Sequence, residues 1–145
     1  MTAWVYIPSA SMAGTFVHFG TSVASADGFS MGVGSGTLDS SGNEFIGLLD
    51  GVAWMPFGKS IGTGWHFVVM TRDTTTWRGY VDTTLAPNTY TNTPNLPTWT
   101  WSFGRDADPS PRLFAGRIDD VRIYNRALSA SEVMQLYKLG AGTNK

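Results

Sequence analysis

The chain has 145 residues, a net charge of −1 and no cysteine. Near-zero charge leaves no electrostatic footprint for a polyanion, so nucleic acid is not an expected partner. Without cysteine there is no disulfide framework, thiol nucleophile or thiolate zinc site, and the redox compartment stays open. Only 14% of residues are charged, while 17 are Gly and 7 are Pro; such a low-charge, turn-rich, aromatic composition points away from helix and toward an all-β domain.

Taken in chain order, short apolar–polar alternations recur from end to end. They predict strands over Thr2–Ile7, Thr15–Gly20, Phe29–Val33, Glu44–Leu49, Trp65–Arg72, Thr76–Asp82, Thr98–Gly104 and Leu113–Tyr124. Turn signals separate them: Ala26-Asp27-Gly28, Ser40 to Asn43, Asp50-Gly51, Asp73 to Thr75, and Asp108 to Pro111. The Thr-, Asn- and Pro-rich run from Thr83 to Pro97 reads as a long surface loop. Met1 to Phe16 carries no basic residue, the first being Lys59, and no long apolar run, so no signal peptide is read there. No segment is long and apolar enough for membrane insertion. Many antiparallel strands at this spacing imply one two-sheet β-sandwich spanning residues 1–145.

Two local patterns near the C-terminus are more specific. Phe114, Gly116 and Ile118 keep one phase of a strand, whereas Val121 and Ile123 keep the other. A one-residue bulge at Asp119-Asp120 would let both sets face the core. Beyond it, Ser129-Ala130-Ser131-Glu132 is a capping box, with Leu128 and Val133 placed as a hydrophobic staple. Val133, Leu136 and Tyr137 share one face, and Gly140 is the expected stop of a short C-terminal helix packed on the outside of the sandwich.

The run from Leu113 to Ser129, Leu-Phe-Ala-Gly-Arg-Ile-Asp-Asp-Val-Arg-Ile-Tyr-Asn-Arg-Ala-Leu-Ser, resembles the C-terminal signature of laminin-G-like jelly rolls in the concanavalin A-like lectin/glucanase group. Earlier pieces agree in order. Ala3-Trp4-Val5 is similar to the family's AWV strand and Trp65 to Thr71 to its WHHVA-x-T strand, with Phe67 in place of the second histidine. Tyr80-Val81-Asp82 is similar to YVDG, with Thr83 for the glycine. The resemblance implies a jelly roll and suggests an extracellular or cell-surface setting. Family domains carry further strands ahead of the AWV strand, so the domain reads as shortened at its N-terminus. A missing strand would leave an open edge beside Trp4 and Tyr6, and pairing with a second copy as a homodimer is the expected remedy.

For chemistry, the glycosidases of this group use an E-x-D-x-x-E pattern of paired carboxylates. Glu44 and Glu132 are the only glutamates here and lie far apart. Neither His18 nor His66 has a triad spacing, and the glycines from Gly32 to Gly36 precede no helix. No enzyme is expected. By resemblance, a structural calcium ion is expected at Asp119, helped by Asp120, against the alternative that these carboxylates pair with Arg117, Arg122 or turn amides. Sugar sites need flat rings with polar groups beside them. Trp99 and Trp101 share one face of their strand next to Arg105 and Asp106, and Trp77 and Tyr90 lie near turns. These six residues are the candidate ligand set, although most tryptophans in a sandwich serve its core. Two readings stay open: a non-catalytic glycan-binding module, and a structural or protein–protein interaction domain.

Overall fold

The computed structural model describes residues 1–22, 27–95 and 100–142. Among these the chain forms β1 (Thr2–Ile7), β2 (Gly14–Ser22), β3 (Asp27–Gly34), β4 (Glu44–Leu49), β5 (Ala53–Ser60), β6 (Gly64–Arg72), β7 (Trp77–Val81), β8 (Thr84–Tyr90), β9 (Trp101–Phe103), β10 (Arg117–Arg122) and the helix α1 (Ala130–Ala141). The strands build two five-stranded sheets, ordered β10-β1-β6-β7-β8 and β5-β4-β3-β2-β9. Every pairing is antiparallel. The expected β-sandwich of jelly-roll type with one C-terminal helix is the observed fold.

Period-two alternation divides each strand between two environments. Ala3, Val5, Ile7, Val68 and Met70 of the first sheet meet Val17, Met31, Phe45, Leu49 and Met55 of the second in one continuous core. Fully burying a side chain of this size contributes about 1.5–3 kcal/mol, so this layer carries most of the favourable folding energy. The opposite face of the first sheet is also covered. Trp4, Phe67, Val69 and Tyr80 pack there against Leu128 and Val133 of the helical segment, and Tyr137 stacks on Trp4 with ring centroids 5.5 Å apart. The capping box forms as expected: Ser129 Oγ accepts from the Glu132 amide at 3.3 Å, and Glu132 Oε2 accepts from the Ser129 amide at 2.8 Å.

The bulge is present. Thr2 pairs with Arg122 and Trp4 with Asp119, so one extra residue of β10 stands opposite Ala3. Asp120 has φ 49°, a left-handed conformation that Asp tolerates better than most side chains.

Several expectations need correction. β1 is not an edge: it lies between β10 and β6, hydrogen-bonded to both, so the argument for a homodimer through Trp4 and Tyr6 loses its basis. The free edge is β10, where Arg117, Asp119 and Arg122 are exposed and the bulge breaks the ladder, features that discourage further pairing. The loop expected over Thr83 to Pro97 is a strand from Thr84 to Tyr90; being an edge strand it exposes nearly every side chain and accommodates Pro87, which hid its alternation. β5 went unread because Pro56 and Gly58 resemble loop residues, yet it too is an edge. The last strand is confined to Arg117–Arg122, while Phe114 turns inward before it and meets Phe16 edge-on, with centroids 4.7 Å apart.

Gly140 is not the helix stop either. α1 continues to Ala141, and Gly140 is buried where a Cβ would overlap the Trp4 indole. The glycine is there for close approach. Gly140→Ala should therefore destabilise the domain by roughly 1–3 kcal/mol, since the crowded group is a packed ring with little room to shift. Chemical denaturation checks this; an unchanged midpoint would show that α1 is not seated on Trp4.

Candidate functional site

The sandwich core opens to solvent at one end. Along β6, Val68, Met70 and Arg72 share the inward phase, and Arg72 pairs in register with Trp77 of β7. The cross-strand neighbours Phe19 and Phe29 answer from β2 and β3, and Trp101 from β9. Between these two sets lies a groove of about 480 Å³, closed along its rim by Tyr124 and Asn125. Phe29 sits between the two indoles, 5.5 Å from Trp77 and 6.3 Å from Trp101. Trp101 is half-buried and leans on Phe19 at 4.4 Å. Trp77 is only 3% exposed, and its indole nitrogen donates to the Asn92 carbonyl at 2.8 Å.

Arg72 is the unusual member. Its guanidinium stands over the Trp77 ring at 5.5 Å, its Nε is buried without a hydrogen-bond partner, and it forms no ion pair with any described carboxylate. A charged residue that continues the phase of Val68 and Met70 was the signal available in the sequence for this groove. Tyr124 and Asn125 were also missed, because they follow the last strand and have no periodicity to mark them.

Of the expected ligand set, Trp77 and Trp101 meet in the groove. Trp99 lies outside the described residues. Tyr90 is held elsewhere, its hydroxyl donating to the Pro56 carbonyl at 2.7 Å and its ring against Phe57. Arg105 is exposed and bonds the Asp106 carbonyl. Asp106 is fully buried and ion-paired with Arg112 at 2.8 Å, on the outer face of the second sheet. Arg112 is the hub of that face. It binds Asp39, Asp106 and Asp108 and lies over the Trp54 ring at 5.3 Å, so one guanidinium fastens two loops to the sheet.

The carboxylates of Asp119 and Asp120, where calcium was expected, bond protein groups. Both Asp120 oxygens are taken by Arg122, at 2.9 and 3.0 Å, and Asp119 Oδ1 accepts from the Asp120 amide at 2.7 Å. Among the described residues no third carboxylate or histidine converges there. The glutamates are likewise engaged: Glu44 accepts from the amides of Gly36 and Gly58, and Glu132 serves the helix cap and Arg126. His66 Nδ1 donates to Asp82 Oδ2 at 3.1 Å, and Asp82 also accepts from the Phe67 amide, which fixes the β7–β8 turn. The Asp82 hydrogen bond holds His66 above the usual histidine range.

A second polar cluster lies under the outer face of the second sheet. Buried His18 bonds Ser30 Oγ at 2.8 Å and stands 3.7 Å from Asp50 Oδ2. Neither Asp50 oxygen has a hydrogen-bond partner. Gly28, at φ 114°, leaves the space that Asp50 occupies: a Cβ there would meet Oδ2 at 3.0 Å. Burial, with the Asp106 carboxylate adding to it, pushes Asp50 up to about 7, and burial pulls His18 down. Both groups are thereby biased to their neutral forms.

The fold and the groove can now be set beside known proteins. A family model described as the concanavalin A-like lectin/glucanases superfamily matches residues 1–134, and the chain belongs to that superfamily. A solved structure of similar fold is domain 4 of AbnA, a GH43 extracellular arabinanase from Geobacillus stearothermophilus, in complex with arabinotriose. The TM-score is 0.68 at 21% identity, covering 94% of this chain and 64% of that one. At that identity the likeness shows the fold, and this chain spans less than two thirds of the other. No curated protein matches the chain.

The state of Asp50 is testable through linkage. A carboxyl that stays protonated to about pH 7 in the fold, against an ordinary value of 3.8, binds more protons folded than unfolded across that window. Stability therefore falls as pH rises from about 4 to 7. Asp50→Asn removes this loss, so the variant should gain on the parent over that window, by on the order of 4 kcal/mol, and run parallel above it. Urea denaturation of both proteins at stepped pH gives the comparison; a constant offset would show that Asp50 is ionised in the fold.

Proposed function

We propose that the domain is a non-catalytic carbohydrate-binding module whose saccharide lies in the end groove between the sheets. The observation that carries this reading is the groove itself: an aromatic wall of Trp101, Phe29 and Tyr124 beside the hydrogen-bonding groups of Arg72 and Asn125. Apolar lining with a few convergent polar groups is the usual composition of a small-ligand site. Two further points support it. The structural neighbour is a domain of an arabinanase held in complex with arabinotriose, and both glutamates of this chain are committed to backbone and cap contacts, away from the groove.

A second reading, an interaction domain, is favoured by Phe103 and Leu113, which are 54% and 63% exposed around the Phe114–Gly104 hydrogen bond. It requires a partner to cover them. Light scattering across dilution tests its self-associating form, which a constant mass of 15.7 kDa would remove.

For the binding reading the decisive variant is Trp101→Ala. Removing a half-buried ring that forms one wall should weaken saccharide binding about tenfold or more, with a melting temperature still above the assay temperature. Calorimetry against arabinose-, galactose- and uronate-containing oligosaccharides supplies the measurement. Binding that survives in the folded variant would move the site elsewhere, and binding to none of the panel would refute the module.

A further inference from the structure

Within the proposed carbohydrate site, on which this inference rests, the charges are all of one sign. Arg72 and Arg126 line the groove and no acidic residue does, among the described residues. Arg126 is neutralised by Glu132 at 2.5 Å. Arg78, Arg112 and Arg122 each have their own carboxylates elsewhere. Arg72 has none. It stands in the inward phase of β6, where the alternation of Val68 and Met70 calls for an apolar side chain, and it keeps a buried Nε without an acceptor.

Nε is too deeply buried for a ligand to reach, whereas the Nη groups are not buried and have no protein acceptor, so they are the donors an incoming group can meet. The Trp77 face covers one side of the cation but offers no acceptor to its N–H edge. A carboxylate is the group that matches this edge, because its two oxygens meet the planar fork of donors in a bidentate pair. The ring that carries such a carboxylate must also be flat enough to lie along Trp101 and Tyr124.

We infer that the groove selects an acidic saccharide, a uronate, with the sugar carboxylate on Arg72 and the pyranose face against the aromatic wall. A uronate is preferred over a neutral sugar of the same ring because only the acid completes the arginine. The selection is electrostatic and should weaken with added salt.

The test uses the whole chain and short oligogalacturonides, with the same oligomers fully methyl-esterified as a matched neutral probe. The esters keep the ring and remove the charge, so the comparison needs no variant and no assumption about folding. Calorimetry should give about tenfold or greater weakening on esterification. Arg72→Gln should erase that difference, and Arg72→Lys should keep part of it, since a lysine supplies charge without the fork. Equal binding of acid and ester overturns the inference while leaving the carbohydrate module intact. Discrimination that persists in folded Arg72→Gln overturns the assignment to Arg72. Failure of every saccharide to bind, neutral or acidic, removes both the module and its selectivity.

Discussion

Strand β1 is hydrogen-bonded on both edges and buried on both faces, and the rest of the molecule is arranged by that constraint. A strand in this position cannot be read as inside and outside. Ala3, Val5 and Ile7 supply one layer of the core, while Trp4 supplies the floor on which α1 rests. Its partners lie far from it in the chain, β6 at Gly64–Arg72 near the middle and β10 at Arg117–Arg122 toward the C-terminus, so β1 forms only when distant segments have met. Such non-local closure is entropically slow, and the helix can dock only after it. The capping box and the glycine at position 140 then act together. One sets where α1 begins, and the other lets its last turn reach the Trp4 ring.

The two sheets solve the problem of their outer faces differently. The first is covered by an apolar helix. The second is covered by loops, and loops carry polar backbone that must be satisfied. Arg112 answers this by gathering Asp39, Asp106 and Asp108 over Trp54. Beneath the same face lie His18 and Asp50, both buried and shifted toward their neutral forms, Asp50 without a hydrogen-bond partner. The contrast with Arg72 is instructive. Arg112 is surrounded by carboxylates and belongs to the fold, whereas Arg72 stacks on one ring at an open end and retains unused donors.

What the sequence revealed follows from how locally each feature is determined. The capping box, the staple and the bulge at Asp119-Asp120 depend on neighbours within a few residues, and all three were legible. Strands β5 and β8 were not, because edge strands tolerate Pro56 and Pro87 and bury few side chains, which removes the alternation that betrays a strand. The position of β1 was misread for a different reason: nothing in Thr2–Ile7 itself says which segment lies on either side. Candidate ligand residues suffered from the same limit. Trp77 and Trp101 come together through the register of two sheets, while Tyr90 and Asp106, equally plausible from composition, are drawn away by Pro56 and Arg112.

The residues that carry the family signature and those that form the groove overlap only in part: Met70, Thr71 and the run from Ile123 to Arg126 belong to both. Ala3-Trp4-Val5 builds the central strand, His66 and Asp82 lock the β7–β8 turn, and the Leu113–Ser129 run supplies the bulge, the edge and the helix cap. Arg72, Trp77, Phe29 and Trp101 stand outside those motifs, at the end of the sandwich where strands finish and packing demands relax. A groove there can change its lining without disturbing β1 or the helix that rests on it. This separation is the physical reason a shared fold does not specify a shared ligand.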